Sequence, residues 1–215
     1  MEHVAQEMVE AFVRACHQAA ACGLMRCSSG NFSMRVDGGR LLVKASRSWM
    51  ARVTPADVSL CAISDGSLIE GPKPSVEIGF HAGILKARPD VNVVMHFQTP
   101  CATALACRKP EHTNYFVIPE IPFYLGPIAR VPYILPGSEE LARAVTDAML
   151  NHDMVVMANH GHVTVARDVD HAVQNAVFFE LACEIILRAG ADLAPLPEAE
   201  VQVLLQLGQS SGAGA

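Results

Sequence analysis

Apolar residues recur at two different periods along this chain, and the switches between them outline alternating helices and short strands. Val4, Met8, Ala11, Phe12 and Ala15 share one helical face, which predicts a helix over 2–22 closed by Cys22-Gly23. Alternation then predicts a strand over 31–36, a hairpin turn at Asp37-Gly38-Gly39 and a returning strand at Leu41-Leu42-Val43. Thr54-Pro55-Ala56-Asp57 reads as a turn or a short helix start, and 58–63 as a further strand ended by Ser64-Asp65-Gly66-Ser67. Pro74 and Ser75 open a helix predicted over 74–88, and Pro89-Asp90 breaks it. A strand over 91–97 and a helix over 100–107 follow. Residues 108–137 are rich in Pro and show only short strand-like pieces. Ser138-Glu139-Glu140 opens a helix to about residue 150, and strands at 154–158 and 163–165 flank a turn at Asn159-His160-Gly161. Long and short helices are predicted over 168–189 and 197–207, with a flexible tail from Gly208 to Ala215. No repeat or linker divides the chain, so residues 1–215 form one domain of α/β class, with helices flanking a mainly antiparallel sheet.

Composition narrows the function. About half of the 215 residues are hydrophobic, enough for a sizeable core and too many for a disordered chain. The net charge of −6 comes with no basic run, which argues against a nucleic-acid partner. Seven cysteines without a C-x-x-C pair predict a reducing compartment and no disulfide framework. The first residues lack the basic start and apolar stretch of a signal peptide, and no apolar run reaches membrane-spanning length. A cytoplasmic protein without a membrane partner is the expectation.

Two apolar strands end in metal-capable side chains. One ends in His96-Phe97-Gln98, the other in Asn159-His160-Gly161-His162, and Glu77 lies at a helix start just upstream of the first. Neutral imidazole is a common metal ligand, and an amide oxygen can add a weaker, uncharged one. A lone His at a strand end is usually an ordinary hydrogen-bonded residue. Two such ends with an acid nearby predict a metal site of His96, Gln98 and His160, with Glu77 as a fourth ligand or a base. His81 follows Glu77 by four residues on the same helical face and is expected to support or pack. His162 could ligate, but its place in the next strand favours ordinary hydrogen bonding. Ser28-Ser29-Gly30-Asn31 offers donors in a tight turn, and Lys44, Arg47 and Arg52 follow; together they suit an oxyanion, with Arg47 able to grip a carboxylate or phosphate with two bonds.

In this order the pieces resemble the class II aldolase/adducin family. The resemblance runs from the first helix to about residue 207 and rests on Ser29-Gly30-Asn31, Pro74-Ser75-Val76-Glu77, Ala87-Arg88-Pro89-Asp90-Val91 leading to His96, Gly137-Ser138-Glu139-Glu140-Leu141-Ala142, and Ala158-Asn159-His160-Gly161. It implies an α/β/α sandwich around a mostly antiparallel sheet, and a homotetramer with active sites at subunit interfaces. Fuculose-phosphate aldolase-like members bind zinc through three histidines with an acid as base. The resemblance places Glu77 as that acid and His96 and His160 as the first and third histidines. Gly30, Asn31, Ser46, Arg47 and Ser75 match the positions that hold the substrate phosphate.

Three departures from the family pattern are visible. Its His-x-His is His96-Phe97-Gln98 here, which admits manganese or cobalt beside zinc. Its Thr-Pro-Thr/Ser-Gly segment is Lys44-Ala45-Ser46-Arg47, and the second serine of Ser-Ser-Glu is Val76. No Tyr follows Tyr133, so the family's tail tyrosine is missing, leaving Tyr115, Tyr124 and His112 as candidate proton donors.

The first reading is a metal-dependent aldolase that cleaves an anionic ketose-type sugar phosphate or sugar acid through an enediolate. Glu77 would move the proton, and Lys44, Arg47, Asn31 and Ser75 would hold the anionic end. The alternatives are an epimerase, dehydratase or decarboxylase of the same family, or a non-catalytic adducin-like scaffold.

Overall fold

The computed structural model describes residues 4–109 and 113–212. Its strands are β1 (Asn31–Arg35), β2 (Arg40–Lys44), β3 (Val58–Ala62), β4 (Leu68–Glu70), β5 (Val93–Phe97), β6 (Ala129–Val131), β7 (Met154–Met157) and β8 (Gly161–Ala166). They form one eight-stranded sheet in the order β4-β3-β2-β1-β5-β8-β7-β6. Only β6 and β7 pair in parallel; the other pairs are antiparallel.

Successive side chains on a strand point to opposite faces. Phe32, Leu42, Leu60, Met95 and Val156 therefore join one core, shared with α1 (Gln6–Ala21), α3 (Pro100–Ala106) and α5 (Val169–Ala189). Leu41, Val43, Val94, Val155 and Val163 join a second core with α2 (Ile78–Ala87) and α4 (Glu139–Met149). This is the expected α/β/α sandwich. Two helix starts are capped as their sequence suggests: Ser138 Oγ accepts from Leu141 N at 3.1 Å, and Asp168 Oδ1 from His171 N at 3.0 Å.

Four local expectations differ from the structure. The helix predicted over 74–88 begins only at Ile78, with Glu77 as its N-cap residue. Pro74 instead forms an isolated bridge with Ala45, while Ser75 N donates to Lys44 O at 3.1 Å. The fixed φ of proline suits a helix start and an extended segment alike, and here the end of β2 decides. β4 was not anticipated, because a three-residue edge strand with half-exposed Leu68 and Ile69 is too short to show a period. The Pro-rich segment holds a π-helical turn, Ile121–Leu125, and β6, whose parallel partner lies far along the chain. The last helix, α6 (Glu198–Ser211), continues through Gly208 rather than fraying there. A Cβ at Gly208 would lie 2.1 Å from Phe123 O, so only glycine lets α6 rest against the π-helical turn. Residues 213–215 of the expected tail lie outside the described residues.

Candidate metal centre and its cavity

Antiparallel neighbours present starts and ends alternately along one edge of a sheet. The start of β1, the ends of β2 and β5 and the β7–β8 turn therefore meet at one edge, and the N-terminus of α2 packs over it. Asn31, Lys44, His96, His160 and Glu77 occupy those five places. All ten candidate residues, Glu77, His96, Gln98, His160, Gly30, Asn31, Lys44, Ser46, Arg47 and Ser75, line one cavity of about 300 Å³.

At its floor Glu77, His96 and His160 bring their ligand atoms within 4.8 Å of one another. Glu77 Oε1 is 3.3 Å from His160 Nε2, and Glu77 Oε2 is 3.5 Å from His96 Nε2. These separations exceed the ~2.7–2.9 Å of a charge-assisted hydrogen bond. The 3.3 Å between Glu77 Oε1 and His160 Nε2 is close to the edge of a tetrahedron around an ion with bonds of about 2.0–2.1 Å, an edge of roughly 3.3 Å. Among the described residues, Glu77 Oε1 is buried without a hydrogen-bond partner, as is His160 Nδ1. An orphaned carboxylate oxygen facing imidazole nitrogens is the arrangement a divalent cation would complete, so the residues fit a metal. Gln98 Nε2 donates to His160 O at 3.0 Å, which leaves its Oε1 as the atom able to ligate. Burial first, then nearby His96, lowers the pKa of His160 below the ordinary imidazole value, against the opposing pull of Glu77. A neutral ring is the ligating form.

A buried chain of hydrogen bonds holds the acid. Asn31 Nδ2 donates to Glu77 Oε2 at 2.7 Å, Asn31 Oδ1 contacts His81 Nε2, and Ser33 Oγ lies 2.7 Å from His81 Nδ1. An amide oxygen only accepts, so His81 carries its proton on Nε2 and Nδ1 accepts from Ser33. Burial, with His96 as a second cause, lowers the His81 pKa to about 3, which keeps that ring neutral. His96 is oriented in the same manner: its Nδ1 lies 2.9 Å from His162 O, which leaves Nε2 for the cavity. Close approach makes this possible. A Cβ at Gly161 would sit 2.8 Å from His96 Cε1, and one at Gly30, where φ is +69°, would sit 2.7 Å from His96 O.

The cationic residues differ from one another. Lys44 is buried and donates to Ser48 O at 2.5 Å and Ser28 O at 3.4 Å, so part of its donor capacity holds the loop. Burial lowers its pKa. Arg47 is exposed on a backbone of φ +64° at the cavity rim. Arg52 lies apart from the cavity, stacked on Trp49 at 4.6 Å.

Several side chains singled out in the sequence are not brought here. His162 lies on the opposite face of the sheet, packed against Phe97 and Phe179. Tyr115 packs on Phe179, and burial raises its pKa to about 12. Tyr124 stacks on Phe178 and lines a separate cleft of about 420 Å³. That cleft is larger than the candidate site, but its acid Asp153 is paired with Arg88, and it contains no metal-capable cluster among the described residues. His112 lies outside the described residues. Sequence reasoning missed the part played by Ser33 and Gly161. The two-residue spacing of Asn31 and Ser33 on one strand face, opposite His81, was the available signal for the first.

Comparison with known proteins now bears on this site. The profile described as Class II Aldolase and Adducin N-terminal domain matches residues 10–187. The chain belongs to the class II aldolase/adducin family. Among similar members, 3-oxo-tetronate 4-phosphate decarboxylase of Haemophilus influenzae is 29% identical over 84% of this chain and 88% of its own. The 5-methylthioribulose-1-phosphate/5-deoxyribulose-1-phosphate aldolase of Rhodospirillum rubrum is 30% identical over 94% and 91%. The crystal structure of YgbL from Klebsiella pneumoniae, described as a candidate aldolase/epimerase/decarboxylase, superposes with a TM-score of 0.86 at 25% identity, covering 93% of this chain and 98% of that one. No helix among the described residues is long and apolar enough to cross a membrane.

Proposed function

We propose that this family member is a divalent-metal-dependent carbon–carbon lyase that decarboxylates a phosphorylated 3-oxo sugar acid. The observation that carries the reading is the donor-free Glu77 Oε1 facing the His160 imidazole beside His96, beneath a rim holding Lys44, Arg47, Ser46 and Ser75. A divalent ion held by His96, His160 and the Gln98 amide oxygen, beside Glu77, would supply a Lewis acid for the charge that develops on the substrate carbonyl. Zinc is the ion we assign, with manganese or cobalt admitted by the harder Gln98 oxygen. The same reading takes the working form to be a homotetramer.

In a 3-oxo acid the C1–C2 bond breaks, carbon dioxide leaves, and the electron pair becomes the C2–C3 double bond of an enediolate. C2 then takes a proton. Decarboxylation thus calls for one proton transfer after bond cleavage. Aldol cleavage calls for two, one from the hydroxyl that becomes the aldehyde and one to the new carbanion. Among the described residues, Glu77 is the only carboxylate lining the cavity. This favours the single-transfer reaction, as does the resemblance to 3-oxo-tetronate 4-phosphate decarboxylases. Glu77 Oε1, protonated from solvent, would deliver that proton to C2. Donors from the Gly30-Asn31 turn, Ser46, Ser75 and Arg47 would hold the phosphate, and Lys44 would add charge from beneath.

The aldolase reading stands second, on the 30% identity to a ketose-phosphate aldolase. The test supplies metal-loaded protein with 3-oxo-tetronate 4-phosphate and, in parallel, 5-deoxyribulose 1-phosphate. Carbon dioxide release from the first supports the proposal. Aldehyde release from the second alone replaces it with aldol cleavage. Inactivity toward both, in protein that takes up no metal, leaves the scaffold reading.

A further inference from the structure

A second cavity, of about 450 Å³, adjoins the one already described and is lined by Arg26, Ser29, Gln98, Thr99, Thr103 and His160. Ser29, Gln98 and His160 line both cavities, so they form the partition between them. No acid among the described residues lines the second cavity. It offers one guanidinium, three hydroxyls and one amide. The Thr99 and Thr103 hydroxyls have no hydrogen-bond partner, and Thr99 is only 2% exposed.

Charge is distributed to match. The chain carries a net −6, yet among the described residues the two cavities together present Arg26, Lys44 and Arg47 against one acid, Glu77. Arg26 and Arg47 are exposed and engage no carboxylate among the described residues. One uncommitted guanidinium therefore stands on each side of the Gln98–His160 partition, with the metal-capable cluster beside it. A substrate with one anionic end needs only one of them.

The geometry points to the second cavity as a carboxylate subsite, so that a substrate with two anionic ends lies across the partition, phosphate on the Arg47 side and carboxylate on the Arg26 side. This rests on the decarboxylase reading and deepens it. A fork of guanidinium donors pairs with a planar carboxylate through two bonds. The arrangement would hold the C1 carboxylate apart from Glu77, leaving Oε1 for the carbon that takes the proton. It also gives a basis for choosing a sugar acid over a ketose of equal length.

The test uses two unreactive four-carbon probes that differ only in the first carbon. 4-Phosphoerythronate carries a carboxylate there, and erythritol 4-phosphate a hydroxymethyl group. Calorimetric titration of the metal-loaded full chain should show the carboxylate probe binding about tenfold or more tighter, as expected for one charge-assisted pair. Arg26→Ala should remove that preference and leave erythritol 4-phosphate affinity unchanged. Arg47→Ala should weaken both probes by a similar factor. Equal affinities for the two probes in the wild type, or a preference that survives Arg26→Ala, would overturn the subsite while leaving the lyase reading standing. Failure of both probes to bind the wild type would overturn the phosphorylated-substrate reading and the subsite with it.

Discussion

Asn31 and Glu77 are 46 residues apart in sequence and joined by a 2.7 Å hydrogen bond from the amide nitrogen to carboxylate Oε2. That bond fixes which oxygen of Glu77 remains without a donor. Asn31 is itself held by His81, which is held by Ser33. His81→Ala should loosen the acid without removing it. We expect kcat to fall about 10–100-fold, as when a group that orients a metal-site ligand is lost, with little change in KM. Steady-state kinetics beside a urea melt separates this from a simple loss of fold.

Glu77→Gln keeps the volume and the contact with Asn31 but removes the base. Turnover should fall by roughly 10²–10⁴-fold. Circular dichroism and the oligomeric state should match the wild type, since the chain's two apolar cores do not include Glu77. Undiminished turnover would remove Glu77 from the proton transfer.

Gln98→His restores a third imidazole beside His96 and His160. Zinc affinity, measured by competition with a chromogenic chelator, should rise, because imidazole binds zinc more strongly than a neutral amide oxygen does. His96→Ala should lose the ion. In the wild type a chelator should lower the melting temperature, since an ion present at 100 times its Kd contributes about 2.7 kcal/mol to the folded state. A melting temperature indifferent to chelator and to added zinc, manganese and cobalt would count against the metal site.

Stability should fall on the acid side through two buried rings. Burial lowers the pKa of His81 and of His162 from 6.5 to about 3. Between those values the unfolded chain binds protons that the folded chain refuses, so stability rises with pH across that window and is lost as pH falls from 6.5 toward 3. Urea midpoints measured from pH 7 to pH 4.5 should decline. His162→Leu, away from the cavity, should flatten the decline relative to its own value at pH 7. A slope unchanged in that variant would show that the ring does not contribute.

Much of the fold was legible because it rests on local periodicity. The alternation in 31–36, the apolar run in 91–97 and the helical faces of α1, α4 and α5 carry their own burial pattern. Edges and exceptions were not legible. β4 and β6 have three residues each, and β6 exists only because β7 lies beside it. Gly208 continues a helix because Phe123 is its neighbour. Pro74 and Ser75 looked helical, yet hydrogen bonding to the end of β2 extends them and leaves Glu77 at the helix cap.

The same division holds for the site. By itself the sequence determined which residues could do the chemistry: two imidazoles at strand ends, one acid at a helix start, an amide two residues from a histidine, and a turn rich in donors. Residue type fixes ligand and proton chemistry wherever the chain goes. Only the tertiary structure decided how those groups are used. Strand order brought five distant chain positions to one sheet edge, and strand parity sent His162 to the other face. Packing committed part of Lys44 to backbone carbonyls and tied Asn31 to Glu77. Those outcomes depend on neighbours remote in sequence, and no local pattern encodes which side chains will meet.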